Sequence, residues 1–331
     1  MKELSRPLEE WLADPAPWVR FRARQVFLGE DAAAERKELL AHPLVKRLTR
    51  DASAWPGNSR ADHRSGKDLL NRVALLADFG VRRGDPGIDG FAERVLTHRD
   101  EHGRVLNHVL MPKQKTPEWL FDVDGQDPLL ALVQLGYGRD KRVKGAVEAL
   151  IESADRNGGW VWPDARSPLP CRRFVGGCPY PTLKILRILA QDEEWAASTA
   201  ARRGIELLLD LASRREVRYG FGFGDQFQKL KYPFVWFDVL HVLEALSPFP
   251  QVWKDARFSA LLDPVVAKAD AGGRFTPESV WMEWKAECFG QKKAPSPWLS
   301  LVVHRILARS PNSRSKTRRV ASARAASHRR A

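Results

Sequence analysis

Two aspartates, Asp122 and Asp124, are separated by one residue in the acidic stretch 121–127, which also contains Asp127. Two carboxyl groups held close together in a buried site do not both ionise, so one of them can stay protonated and donate a proton. This spacing makes Asp122 and Asp124 the candidate catalytic residues. The alternative is that these aspartates cap the start of a helix, since aspartate is a preferred N-cap residue.

A second cluster combines tryptophans with lysines in residues 277–298. Ammonium groups beside aromatic rings suit a ligand with an anionic head, such as a diphosphate, and an apolar body. The candidate ligand-binding residues of this cluster are Trp281, Trp284, Lys285, Lys292 and Trp298. The alternative is a packed loop whose lysines are solvated.

Cysteine chemistry has less support. Cys171 and Cys178 lie seven residues apart, which is a poor spacing for two thiolate ligands of one zinc ion, and no histidine begins the next apolar helical segment. We therefore predict no metal site and no cofactor. The sequence also contains no Gly-x-Ser-x-Gly, HExxH or Walker motif, which argues against the common serine hydrolases, zincins and NTPases.

Charge is distributed unevenly along the 331 residues, whose net charge is +13. Seven of these positive charges lie in residues 310–331, which contain no acidic residue. Such a segment cannot bury enough apolar surface to offset its ordering entropy. We predict a folded domain over 1–309 and a disordered basic tail over 310–331. The tail is either a solvated extension or a weak contact for nucleic acid or an anionic membrane.

Only three cysteines occur in the chain, which argues against a disulfide framework and suits a reducing compartment. No apolar stretch approaches the roughly 20 residues of a membrane span, and the first residues show no signal-peptide pattern. These features predict a cytoplasmic protein.

Glycine-containing turns recur about every 50–60 residues, and two kinds of helical segment alternate between them. The turns lie at Trp55, 102–104, 157–160, 219–221 and 271–275. Segments apolar on nearly every side occur at 17–28, 67–79, 127–136, 181–190, 234–246 and 298–307. Amphipathic segments occur at 34–50, 88–98, 141–152, 200–213 and 256–269.

A helix that is apolar all round must be surrounded by protein, whereas a helix with one apolar stripe lies at the surface. The alternation therefore predicts an all-α fold, an α/α toroid of five to six hairpins, with inner apolar helices ringed by outer amphipathic helices. An open solenoid is the competing arrangement, but both helices of its repeats are amphipathic. Candidate functional residues would then lie where the inner helices begin, at one shared mouth.

The helical hairpins closed by Gly-Gly-Trp, clearest from Leu130 to Trp160, resemble the repeats of terpenoid cyclases and protein prenyltransferases. Squalene-type cyclases carry a proton-donating Asp-x-Asp-Asp at the start of such an inner helix. Asp122 and Asp124 match this motif, and Gly125 departs from it. Prenyltransferases hold zinc through Asp, Cys and His at these starts, and only Cys178 has a counterpart here.

The resemblance implies a toroid that binds an isoprenoid or other apolar ligand in a central aromatic-lined cavity. The inner-helix residues Cys178, Tyr180, Trp236 and Phe237 join the tryptophan–lysine cluster as predicted ligand-binding residues. Because the motifs are incomplete, a terpene-cyclase-like or prenyltransferase-like activity is left open. The alternative function is a non-catalytic toroid scaffold that binds a protein or peptide.

Overall fold

The computed structural model describes residues 6–57, 65–110, 115–121, 126–154, 159–160, 178–213 and 226–311. This part of the chain is mostly helical, which confirms the all-α prediction apart from one short antiparallel hairpin. The hairpin joins β1 (Asn107–Val109) to β2 (Glu118–Leu120), with His108 opposite Trp119. No helix in these residues is both long and apolar enough to cross a bilayer.

Fourteen α-helices lie within the described residues. They are α1 (Leu8–Leu12), α2 (Pro17–Ala23), α3 (Ala33–Ala41), α4 (Pro43–Ala52), α5 (Leu69–Phe79), α6 (Ile88–Thr97), α7 (Gln126–Leu132), α8 (Lys141–Glu152), α9 (Pro179–Leu189), α10 (Glu193–Ala196), α11 (Thr199–Ser213), α12 (Val239–Leu246), α13 (Ala256–Val266) and α14 (Pro297–Ala308). Single π-helical turns, Arg24–Leu28 and Val133–Tyr137, extend α2 and α7.

Local signals explain where α5 begins and ends. The Asp68 carboxylate accepts hydrogen bonds from the main-chain N–H groups of Leu70 and Asn71, which are orphan donors of the first turn. Gly80 ends the helix at φ +116°, and a Cβ there would lie 2.3 Å from a ring carbon of Phe21. Only glycine meets both conditions without strain.

Two predicted segments differ from the observed helices. The segment 34–50 is split into α3 and α4 at Pro43, because the residue before a proline is disfavoured in the helical region. The apolar segment 234–246 becomes helical only at Val239, after a non-helical stretch with bends at Phe234 and Trp236 that ends at the N-cap Asp238.

Burial separates the two predicted classes of helix. Every residue of α9 and every residue of α12 is buried. In α8 the buried residues are only Val143, Ala146, Val147 and Leu150, on one stripe. The apolar helices α9 and α12 are therefore enclosed and the amphipathic helix α8 lies at the surface, as their patterns predict.

The enclosed helices contact one another in a cycle. The helix α2 contacts α5, α5 contacts α7, α7 contacts α9, α9 contacts α12, α12 contacts α14, and α14 contacts α2. Other helices pack on this set, with α3 against α2, α4 against α5, α8 against α7, α11 against α9 and α13 against α12, and α6 packs against α4.

Two repeat turns are built in the same way. In the first, Asp100 accepts hydrogen bonds from the main-chain N–H and the Nε of Arg104, around Gly103 at φ +75°. In the second, Asp270 makes the same two bonds to Arg274, around Gly273 at φ +74°. The turn at 219–221 lies outside the described residues.

Surface helices are joined by an arginine clamp. Asp140 caps α8 and accepts from the side chain of Arg142, and Arg142 donates two hydrogen bonds, of 2.7 and 2.8 Å, to the Glu93 carboxylate on α6. The same arrangement recurs with Asp255, Arg257 and Glu206, which joins α13 to α11. Both clamps lower the pKa values of their carboxyl groups, chiefly through the arginine hydrogen bonds.

We expect Arg142→Ala and Arg257→Ala each to lower the free energy of unfolding by about 0.5–1 kcal/mol, because solvent-exposed ion pairs contribute little. The two clamps share no residue, so their effects should add in the double variant. Urea titration measures both. Lys254→Ala is the control, since the exposed Lys254 has no ion-pair partner among the described residues. A loss of several kcal/mol in either single variant would contradict this assignment.

Half-buried arginines bind the carboxyl ends of neighbouring enclosed helices. Arg22 of α2 donates to the main-chain oxygens of Ala77 and Asp78 at the end of α5, at 2.6 and 2.8 Å. Arg309, after α14, donates to the main-chain oxygen of Glu244 at 3.2 Å and to the Ser247 hydroxyl at 2.7 Å, at the end of α12. These donors satisfy carbonyls that have no partner within their own helix.

Side-chain charges meet at the same end of these helices. Arg305 lies 3.1 Å from a Glu244 carboxylate oxygen and 3.7 Å from an Asp78 oxygen, and Arg309 lies 2.8 Å from Glu244. The Tyr232 hydroxyl donates to Asp78 at 2.8 Å. Burial raises the pKa of Glu244, but the arginines outweigh burial and hold it at about 2. We call Asp78, Tyr232, Glu244, Arg305 and Arg309 the ionic cluster.

Candidate functional site

The candidate site lies between the non-helical segment before α12 and the loop before α14. The main-chain N–H groups of Glu278 and Ser279 donate to the Leu230 oxygen, at 2.9 and 3.2 Å. The Trp281 indole N–H donates to the Pro233 oxygen at 3.1 Å. These bonds hold the two segments side by side at the amino-terminal end of α12.

A pocket of about 410 Å³ lies between these segments. Its lining residues are Gln226, Lys231, Trp236, Phe237, Asp238, Ser279 and Trp281. We call it the mouth pocket, because it lies where α12 begins. The combination of aromatic walls with one amine, one carboxyl and two neutral polar groups suits a small ligand with an apolar body and a polar end.

The aromatic walls are supported from behind. The Trp236 ring packs on the Tyr180 ring of α9, with 4.6 Å between their centroids. The Tyr180 hydroxyl donates to the Val235 oxygen at 3.0 Å, and the Nδ1–H of the buried His241 donates to the Trp236 oxygen at 2.9 Å. The backbone that carries Trp236 is therefore fixed by α9 on one side and α12 on the other.

Asp238 places a carboxyl in the pocket wall. It is the N-cap of α12, and one carboxylate oxygen accepts the main-chain N–H of His241 at 2.9 Å. Its side chain is almost fully buried, with 6% of the residue exposed. Burial raises the pKa of Asp238 to about 7, although the hydrogen bond from His241 and the charge of Lys231 act in the opposite direction. A carboxyl of this kind can donate or accept a proton near neutral pH.

Lys231 places an amine in the same pocket. Its Nζ lies 3.3 Å from the centroid of the Trp281 ring. Among the described residues no carboxylate lies within ion-pair distance of this amine, although the charges of Asp238 and Glu283 reach it. Burial lowers the pKa of Lys231.

Four predicted ligand-binding residues lie at or beside the mouth pocket. Trp236, Phe237 and Trp281 line it, and Tyr180 packs behind Trp236. A fifth, Cys178, is the N-cap residue of α9, is buried and does not line the pocket. The structure thus brings residues from the start of α9, the segment before α12 and the loop before α14 to one place.

The other four predicted ligand-binding residues lie elsewhere, and none of them lines the mouth pocket. Trp298 is fully buried against Phe79 and Tyr232, at centroid distances of 5.2 and 5.9 Å. Trp284 is buried beside Phe289. The sequence positions of these two tryptophans are as typical of core residues as of residues that line a ligand site. Lys285 and Lys292 are exposed.

The predicted catalytic residues Asp122 and Asp124 lie outside the described residues, as does Cys171. Sequence reasoning missed Asp238 and Lys231, the polar groups that the structure places in the pocket. A signal for Asp238 was present, since it directly follows Trp236 and Phe237 at the start of an apolar segment. Within the described residues no group of three or more His, Cys, Asp or Glu side chains could hold a metal ion.

Comparison with known proteins does not assign the chain to a family. No family model matches the chain, and no curated protein matches it. A solved structure of a protein from Actinoplanes is similar over 88% of this chain and 89% of that protein, at 15% sequence identity and a TM-score of 0.44.

Proposed function

We propose that the chain is a closed α/α toroid, related to the terpenoid cyclases and protein prenyltransferases, that binds an isoprenoid or another apolar small molecule. The cyclic order of contacts from α2 to α14 and back supports the closed arrangement. The complete burial of α9 and α12 supports their position as inner helices. A cytoplasmic location and the basic tail over 310–331 remain predictions from composition, and all but two residues of that tail lie outside the described residues.

The mouth pocket is the observation that carries the binding proposal. Its volume of about 410 Å³ falls within the usual range of small-molecule sites. Trp236, Phe237 and Trp281 offer apolar surface that a ligand would remove from water, at roughly 25 cal/mol per Å² buried. Lys231 and Asp238 offer partners for a polar end group. The ligand site of this proposal is thus beside the start of α12 rather than in the middle of the ring.

Binding of geraniol, a short isoprenoid alcohol, tests the proposal by isothermal titration calorimetry. We expect the wild-type chain to bind it and Trp281→Ala to bind at least tenfold more weakly, because this variant removes one wall of the pocket. The matched control is Trp253→Ala, which removes a half-buried tryptophan at the Pro250–Lys254 turn, away from the pocket lining. Equal affinity in the wild type and Trp281→Ala, or no binding at all, would count against the proposal.

One observation favours the second candidate, a non-catalytic scaffold for a protein or peptide. Tyr232 is fully buried and packs against Phe289 and Trp298, with centroid distances of 5.2 and 5.9 Å, while its hydroxyl reaches Asp78 of α5. Side chains of the chain itself thus occupy space between α5 and α14. If geraniol does not bind and a purified partner protein forms a stoichiometric complex, the scaffold function replaces the ligand-binding one.

A further inference from the structure

The position of Lys231 in the mouth pocket differs from that of a solvated surface lysine. Its amine faces the Trp281 ring at 3.3 Å and lines a cavity large enough for a small molecule. Residue 231 is half-buried, and burial lowers the pKa of its amine. A lysine whose ammonium form is disfavoured has more of the neutral amine, which is the nucleophilic form.

Asp238 lines the same pocket and supplies the second group that amine chemistry needs. Its carboxyl accepts hydrogen bonds from main-chain N–H groups at the start of α12, and no side chain among the described residues hydrogen-bonds to it. Because burial raises the pKa of Asp238 to about 7, a large fraction carries a proton at neutral pH. The pocket therefore presents an amine whose pKa is lowered by burial and a carboxyl group that is partly protonated at neutral pH.

We propose that Lys231 forms an imine with the carbonyl carbon of an aldehyde or ketone whose apolar body lies against Trp236, Phe237 and Trp281. This inference rests on the proposed function, since it names the class of ligand for the same pocket. It makes the pocket a carbonyl-binding site as well as an apolar one.

The reaction balances with the groups present. The neutral amine of Lys231 adds to the carbonyl carbon, and a proton moves from nitrogen to oxygen to give a carbinolamine. The Asp238 carboxylic acid then protonates the hydroxyl group, the carbon–oxygen bond breaks, and water leaves. The products are a protonated imine on Lys231, the Asp238 carboxylate and one water molecule. No oxidant or reductant takes part.

Trp281 and Asp238 both stabilise this product. The protonated imine keeps a positive charge at the position of the lysine amine, over the face of the Trp281 ring, where a cation is attracted by the ring quadrupole. The new carboxylate of Asp238 provides the counter-charge. Both residues act from the positions that they already occupy in the pocket wall.

Reductive trapping with geranial, the aldehyde that corresponds to geraniol, tests the inference. The full chain is incubated with geranial and cyanoborohydride, digested, and analysed by mass spectrometry. We expect the adduct at Lys231 to exceed that at any exposed lysine at least tenfold. Lys231→Arg should abolish this adduct, whereas Lys285→Arg, a control at an exposed lysine, should retain it. Asp238→Asn should slow trapping at Lys231 at least tenfold, because the acid that protonates the carbinolamine hydroxyl is removed.

Geraniol cannot form an imine, so it separates the two proposals. Binding of geraniol together with adducts spread evenly over the lysines, or with no adduct, would overturn the imine and leave the ligand-binding function in place. Absence of both geraniol binding and the Lys231 adduct would overturn both.

Discussion

Replacing Arg305 by methionine is expected to lower the free energy of unfolding by about 3 kcal/mol. Arg305 lies between Glu244 and Asp78, and both acidic residues are buried, with 7% and 9% of each residue exposed. Methionine keeps much of the side-chain volume but leaves buried negative charge with fewer partners. Removing one member of a buried ion pair typically costs about 3–5 kcal/mol. The lower end of this energy range applies because Arg309 still contacts Glu244 and Tyr232 still contacts Asp78.

Denaturant titration of Arg305→Met measures this effect, and Arg257→Ala provides the control. Arg257 also binds two carboxylates, but at the surface, so its loss should cost about 1 kcal/mol or less. Comparable small losses in the two variants would mean that the ionic cluster is not buried as the structure describes it.

Replacing Asp238 by asparagine is expected to make the protein more stable above pH 7 and to change its stability little below pH 4. The folded pKa of about 7 lies above the usual aspartate value of 3.8, so the folded state binds the proton more tightly than the unfolded state. The stability contributed by Asp238 is therefore fully present below pH 4 and is lost as the pH rises through 7. Each pK unit is worth about 1.4 kcal/mol, so the gain above pH 7 should be a few kcal/mol. Asparagine is also a good N-cap, so α12 keeps its cap.

Unfolding of Asp238→Asn at pH 5 and pH 8 tests this prediction, and Asp255→Asn is the matched control. Asp255 also caps a helix, α13, but hydrogen bonds from Arg257 chiefly lower its pKa. The stability that Asp255 contributes is present above its unfolded pKa and is lost in acid. Asp255→Asn should therefore lower the free energy of unfolding modestly at pH 8. If both variants shift stability in the same direction at pH 8, the raised pKa of Asp238 is wrong.

The helices could be predicted because their signals are local. Proline at the first position of α9 and α14, aspartate before α5, and glycine at φ +116° after it all act within a few residues. The contrast between α9, which is buried throughout, and α8, which is buried on one stripe, follows from periodicity alone. The hairpin of β1 and β2 was not predicted, because its strands are only three residues long.

The candidate site could be predicted only in part, because its polar groups come together through distant contacts. Lys231 and Trp281 are fifty residues apart in the sequence and meet only because the Pro233 oxygen and the Trp281 indole are hydrogen-bonded. Tryptophan spacing alone cannot distinguish Trp236, which lines the pocket, from Trp298, which is fully buried in the core.

Asp238 links the stability of the fold to the proposed function. A buried carboxyl with a raised pKa destabilises the folded state at neutral pH, and asparagine would cap α12 without that cost. Groups that destabilise a fold in this way are concentrated at functional sites, where the perturbed pKa serves the chemistry. The expected gain in stability of Asp238→Asn and its expected loss of imine formation are two consequences of one carboxyl.

The most direct test of the ligand-binding proposal is a crystal structure of the chain soaked with geraniol. The account predicts ligand density in the mouth pocket between Trp236 and Trp281, with the alcohol oxygen hydrogen-bonded to Lys231 or Asp238. An empty mouth pocket at saturating geraniol, or ligand bound only at another place, would contradict it.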